Sequence, residues 1–231
     1  MRQYARGRLA ALERENLSGY VLKTNSPSCG LVGVPLHGGR SQASHRGRGL
    51  FAAALRRHYS LLPVEEEGRL DDARIRENFI ERIFAYRRLE DFFGGHWTPD
   101  DLIVFHARHQ LELLAHLPQI YRELERKVAA GRGADRAKLR AAYENGFMSA
   151  LTKIPTVARH VAVLRQVAGE VGANLDRAAR SDLAVVIDNY RRGRVPRIRP
   201  ITLLRDYVRR FDLANLRNQV YLDPTAPELS L

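Results

Sequence analysis

Gly19-Tyr20-Val21-Leu22-Lys23 runs directly into Thr24-Asn25-Ser26-Pro27-Ser28-Cys29-Gly30. The first of these segments reads as a short apolar strand, and the second reads as a tight turn at its end. Pro27 fixes its own φ and biases Ser26 toward extended geometry. Gly30 supplies backbone freedom on the far side of the turn. Two hydroxyls and the chain's single thiol are thus presented just past the carboxyl end of a strand. That is where α/β folds collect their chemistry, so this passage sets the expectation of an α/β segment at the start of the chain.

Around it, 231 residues with 45% hydrophobic side chains are enough to build one large domain or two small ones, which excludes general disorder. No apolar run reaches the roughly 18 residues of a membrane helix. Met1-Arg2-Gln3-Tyr4-Ala5-Arg6 has no apolar stretch after it, so no signal peptide is expected. One cysteine rules out an internal disulfide framework and suits a reducing cytoplasm. The net charge of +12 suits an anionic partner such as a nucleic acid. Only Lys23, Lys127, Lys138 and Lys153 are lysines. So heavy a bias to arginine favours the plainer reading, a solvated basic surface shaped by codon usage.

Periodicity divides the chain into a mixed first part and a helical second part. Helices are expected over Tyr4–Asn16, Gly49–Tyr59 and Asp72–Phe93, with short strands at Gly19–Lys23 and Leu61–Val64. Gly30–Gly49, rich in glycine and carrying Arg40, His45, Arg46 and Arg48, reads as a polar loop. Glu65-Glu66-Glu67 reads as a solvated acidic turn or a source of salt bridges to arginine. Gly94-Gly95-His96 breaks the pattern, so the expected domains are 1–95 and 96–231. Beyond it Thr98-Pro99-Asp100-Asp101 is a strong helix start. That helix is expected to continue to about His116, and others begin near Pro118, Asp135, Pro155, Leu175 and Leu203. Pro196 and Pro200 frame a stiff loop, and Gln219-Val220-Tyr221-Leu222 is apolar enough to dock on the bundle. The expected fold class is therefore α+β overall, an incomplete α/β segment followed by an all-α helical bundle.

Three groups of residues have the composition of a site. Cys29 reads as a metal ligand, a reactive thiol, or a small residue in a structured turn. His106, His109 and His116 share one face of a continuous helix, since offsets of three and ten are near multiples of 3.6. Imidazole is a common metal ligand, and Glu112 or His160 could complete a set; the alternative is a hydrogen-bonded polar seam. Lys23 and the concentration Arg191, Arg192, Arg194, Arg197, Arg199 and Arg205 form candidate anion contacts, with a solvated loop at a helix C-terminus as the alternative.

Two resemblances add to this reading. Gly19–Lys23, Ser26-Pro27-Ser28-Cys29-Gly30, Gly47-Arg48-Gly49-Leu50-Phe51-Ala52, Leu62–Leu70 and Arg76-Glu77-Asn78-Phe79 occur in the order seen in 2-thiouracil desulfidases. Residues 17–93 resemble the C-terminal half of that family's domain. Phe105-His106-x-x-His109, Tyr143 with Phe147-Met148, Tyr190-Arg191-Arg192-Gly193 and Gln219-x-Tyr221-Leu222 resemble the YbgA-like helical domain over residues 101–231.

The desulfidase resemblance implies a Rossmann-like unit, a thiolated nucleobase as substrate and a [4Fe-4S] cluster held by three cysteines with one iron open. Cys29 matches the last of those cysteines, and Ser26, with Ser28 as the second choice, matches an active-site serine. The other two cysteines have no counterpart in the sequence, so the resemblance implies an N-terminally shortened member. One thiolate does not hold four irons. The expectation is a desulfidase-like protein whose cluster site is incomplete; the alternative is a basic helical module that binds nucleic acid or protein without catalysis.

Overall fold

The computed structural model describes residues 2–31, 34–36 and 44–223. These form two compact units, Met1–Gly95 and His96–Leu231.

The first unit opens with α1 (Arg2–Leu12), which buries Ala5, Leu9 and Leu12. A short 3₁₀ turn ends at Asn16 in the left-handed region, and β1 (Tyr20–Leu22) comes next. β2 (Val34–Leu36) and β3 (Ser44–Gly47) pair antiparallel. Gly30–Gly49 is therefore more than the loop expected, since it includes this short antiparallel ladder. His37 and Arg40 lie outside the described residues. α2 (Leu50–His58) packs on α1 and provides the crossover that lets β4 (Val64–Glu66) run parallel to β1, with Tyr20 opposite Val64 and Leu22 opposite Glu66. α3 (Ala73–Gly94) begins at Asp72, whose carboxylate accepts from the Arg74 and Ile75 backbone N–H groups; those bonds hold its pKa below the usual carboxylate range. Its Phe79, Tyr86, Leu89 and Phe93 are buried.

β4 corrects one expectation. Glu65 and Glu66 belong to the strand and are 7% and 4% exposed, so they do not form a solvated turn. Each has a reason to be inside. Glu66 accepts the Leu31 backbone N–H at 2.6 Å, and Glu65 pairs with Arg69 at 3.1 Å. Burial pushes the Arg82 guanidinium pKa down, and the Glu65 charge opposes that push.

The second unit is helical throughout its described residues. α4 (Pro99–Arg108) starts with a complete capping box between Thr98 and Asp101. α5 (Gln110–His116) and α6 (Pro118–Ala129) follow, then α7 (Arg136–Leu151), α8 (Val157–Gly172) and α9 (Arg177–Arg191), each of the last three capped by a side chain: Asp135, Thr156 and Asp176. α10 (Ile198–Arg210) begins five residues earlier than expected, with Pro200 inside its first turn. A proline is tolerated there because the first-turn N–H groups have no intrahelical acceptor. α11 (Ala214–Arg217) leads to a final 3₁₀ turn in which Val220, Tyr221 and Leu222 are buried, as their apolar character led one to expect. The core joins Leu111 and Ala115 of α5 to α8, α9, α10 and this terminal turn. Among the described residues no helix is long and apolar enough to cross a membrane.

Candidate functional site

The Ser26–Gly30 turn is held by its own atoms and by α2. Gly30 N–H donates to Ser26 O at 2.8 Å, and Cys29 N–H reaches Ser26 Oγ at 3.3 Å. Ser26 Oγ lies 3.1 Å from Ser28 Oγ, which lies 3.4 Å from Cys29 Sγ. The first-turn donors of α2 complete the assembly: Phe51 and Ala52 N–H both point at Ser28 O, at 2.9 and 3.2 Å, and Gly49 N–H bonds Gly30 O at 2.8 Å. A carbonyl thus satisfies two of the orphan donors that any helix N-terminus carries.

Gly49 is the residue the sequence reasoning missed. A Cβ there would lie 2.3 Å from Ser28 O and 2.6 Å from Cys29 N. Its φ is an ordinary −59°, so it is glycine for want of room. The signal was present in Gly47-Arg48-Gly49 before a helix, yet nothing in the sequence said which backbone it would meet.

Beside the turn lies a cavity of ≈ 190 Å³ lined by Arg8, Tyr20, Ser28, Cys29, Leu50 and Phe51 among others. Tyr20 and Phe51 have ring centroids 6.0 Å apart, tilted by 56°. A strand, a turn and two helices therefore converge on one half-buried thiol with aromatic walls and a guanidinium. Ser26 is half-buried in the turn, bonded to Ser28; Lys23 is exposed at the end of β1.

The histidines of the second unit's core, His106, His109, His116 and His160, are all buried, and each has its own partner. The expected continuous helix breaks at His109, which adopts φ −101° and ψ 6° between α4 and α5. The break shifts the helical phase, so the face argument based on 3.6 residues per turn no longer applies. His106 Nδ1 lies 3.2 Å from Tyr143 OH, and its ring stacks on Tyr121 at 5.1 Å. His109 Nδ1 donates to Phe105 O at 2.7 Å, and His116 Nδ1 donates to Lys153 O at 2.8 Å. His160 bonds Tyr221 OH at 2.9 Å and accepts from Arg197 at 3.2 Å. Burial lowers the His106 pKa to about 4, and it raises that of Tyr143, with the Glu112 charge adding to the effect. Among the described residues no three His, Cys, Asp or Glu side chains are grouped to hold a metal ion. The bonds these imidazoles make are those of the alternative reading, a polar seam that ties helices together.

The arginine run is likewise dispersed. Arg191 and Arg192 both pair with Asp188, at 2.7 Å each, while Arg197 is turned to His160. These pairs hold the Asp188 carboxylate below its usual pKa.

The donor set at Cys29 does not fit a [4Fe-4S] cluster. The thiol's hydrogen-bond neighbour is the Ser28 hydroxyl, and the chain has no second cysteine.

Comparison with known proteins places two families on the chain. A family model described as 2-thiouracil desulfurase matches residues 1–67, and one described as a protein of unknown function (DUF1722) matches residues 110–226. The uncharacterized protein YbgA of Escherichia coli (strain K12) is 28% identical over 151 residues, covering 65% of this chain and 89% of that protein. No solved structure matches. The sequence therefore joins a desulfidase-related segment to a YbgA-like one.

Proposed function

Because the chain belongs to the DUF1722 family and carries a 2-thiouracil desulfurase match at its start, we propose that its first unit is a desulfidase-like binding site for a thiolated pyrimidine base. The observation that carries this is the Cys29 cavity. It joins a thiol and a serine hydroxyl to two aromatic rings in a space the size of a single base. Tyr20 and Phe51 offer apolar walls to a planar ring. The Arg8 guanidinium offers donors to an exocyclic oxygen or sulfur, and Ser28 can donate to a ring nitrogen or accept from it. The Cys29 thiol is a weak donor of the kind a polarizable thiocarbonyl sulfur accepts. Ser26 stands behind Ser28 and orients it.

In this reading the chain binds and orients the base, and no desulfuration step is assigned to a cluster. The reading includes a cytoplasmic location and a Rossmann-like origin for the first unit. The parallel β1–β4 pair with its helical crossover supports that origin.

The test is calorimetric titration of the full chain with 2-thiouracil and with uracil. 2-Thiouracil binds the more tightly, Leu50→Trp abolishes its binding by filling the cavity mouth, and Cys29→Ser narrows the preference for sulfur over oxygen. Equal or absent binding of the two bases, or binding untouched by Leu50→Trp, would sink the reading.

A further inference from the structure

A second and larger opening lies on the helical unit. It is a groove of ≈ 520 Å³ between the α4–α5 junction, the C-terminal half of α8 and the α11 segment. Its floor includes Leu111, Leu216 and Gln219, which are 2%, 3% and 7% exposed. Gln219 fixes that floor. Its Oε1 accepts the Leu111 N–H at 3.3 Å, and its Nε2 donates to Ala107 O at 2.8 Å. The break at His109 interrupts the helix between these two backbone groups, and a carboxamide more than a hundred residues away takes both. The groove is thus built in advance of any ligand.

Its walls combine two chemistries. Ile103 and Val104 are 40% and 60% exposed and present branched aliphatic surface. Gln110, Gln166, Asn215 and Asn218 bring four more carboxamides to the same opening. Arg108 and Glu170 add one charge of each sign.

We propose that this groove binds a neutral nucleobase or nucleoside. A carboxamide presents a donor beside an acceptor, which matches the adjacent donor and acceptor on the edge of adenine or of the uracil imide. An aliphatic floor and wall accept the ring faces. The volume lies within the roughly 300–1,000 Å³ of small-molecule sites. The balance of Arg108 against Glu170 leaves the opening without the excess of cations that a phosphate requires, so the groove favours a nucleoside over its monophosphate. The proposal is independent of the reading of the first unit.

Titration calorimetry of the full chain with adenosine, uridine and AMP tests it. Adenosine or uridine binds one-to-one with a Kd below about 1 mM, and AMP binds no more tightly. Gln166→Leu and Asn218→Leu, both at exposed positions, each weaken the nucleoside about tenfold with the far-ultraviolet circular dichroism unchanged. Glu170→Gln improves AMP relative to the nucleoside. Leu50→Trp leaves nucleoside binding intact while removing 2-thiouracil from the first unit, so each site can fail without the other. The proposal is overturned if neither nucleoside gives saturable heat, if the Gln166→Leu/Asn218→Leu double variant binds as well as the unmodified chain, or if N-acetylglycinamide competes at the same concentration as the nucleoside.

Discussion

In the first unit the cavity wall exists because backbone approaches backbone. The N-terminus of α2 is laid on the Ser28 carbonyl so closely that a methyl group at Gly49 would sit 2.3 Å from it. In the second unit the groove and the polar interior are made by side chains projecting from helices. Gln219 bridges a helix break, and Tyr143 and Tyr121 flank His106. A site built on backbone contact tolerates almost no added atom, whereas one built on side chains fails in proportion to what is removed or charged.

The sharpest way to break that contrast is Gly49→Ala. The added carbon meets carbonyl and amide atoms that cannot rotate away, so the Ser28–α2 bonds must open. Overpacking of this kind costs about 3 kcal/mol where the neighbours are fixed. Thermal denaturation should show a large drop, and Cys29 should react faster with a thiol reagent as its turn loosens. Gly7→Ala, where nothing lies within 4 Å, is the control. It should leave α1 unchanged or stabilise it by about 0.5–1 kcal/mol through helix propensity. Equal effects of the two substitutions would contradict the close-approach account.

The side-chain interior of the second unit is broken by a proton. His106 faces Tyr143 of α7 and Tyr121 of α6, with Glu125 of α6 beside Tyr121, and burial holds its pKa near 4 against an ordinary value of 6.5. Between those two values the unfolded chain binds the proton and the folded chain does not. Stability from this site is thus fully present above pH 6.5 and is lost progressively as the pH falls toward 4. The loss reaches about 3 kcal/mol at the acid end. Urea denaturation midpoints measured across this range should fall with pH, and His106→Gln should flatten that part of the profile. A slope unchanged by the substitution would assign the titration to another group.

How far each region was legible in the sequence depends on the same difference. The Ser-Pro-Ser-Cys-Gly turn could be read because it is contiguous and each residue has a local conformational effect. Thr98 to Asp101 could be read for the same reason, since a capping box is complete within four residues. The break at His109 could not. His109 is neither glycine nor proline, and the acceptor and donor that stabilise the break come from Gln219, 108 positions beyond Leu111. The same holds for the groove, whose walls come from three separate helical segments. Glu65 and Glu66 misled for a related reason. Three successive carboxylates look solvated, yet the Arg69 partner keeps Glu65 inside, and the distant Leu31 N–H, reached through the register of β4 against β1, keeps Glu66 inside.

The smallest expected effect concerns the basic surface, where the side-chain rule should be most forgiving. Asp188 holds both Arg191 and Arg192, and all three lie on or next to the last turn of α9. Replacing it by Asn removes two exposed ion pairs, each worth about 0–1 kcal/mol. It also removes an unfavourable carboxylate from a helix C-terminus, which offsets part of that loss. The net change in stability should stay within about 0.5 kcal/mol. The larger change is in the number of unpaired guanidinium groups. If Arg191 and Arg192 form a phosphate-contacting surface, freeing them steepens the dependence of log K on log salt for single-stranded RNA by about 1.4, since each phosphate contact on a single strand contributes about 0.7. Filter binding between about 50 and about 200 mM salt reads this directly. A slope that is shallow in the unmodified chain and unaltered in Asp188→Asn would identify the arginine run as a solvated helix end with no nucleic-acid role.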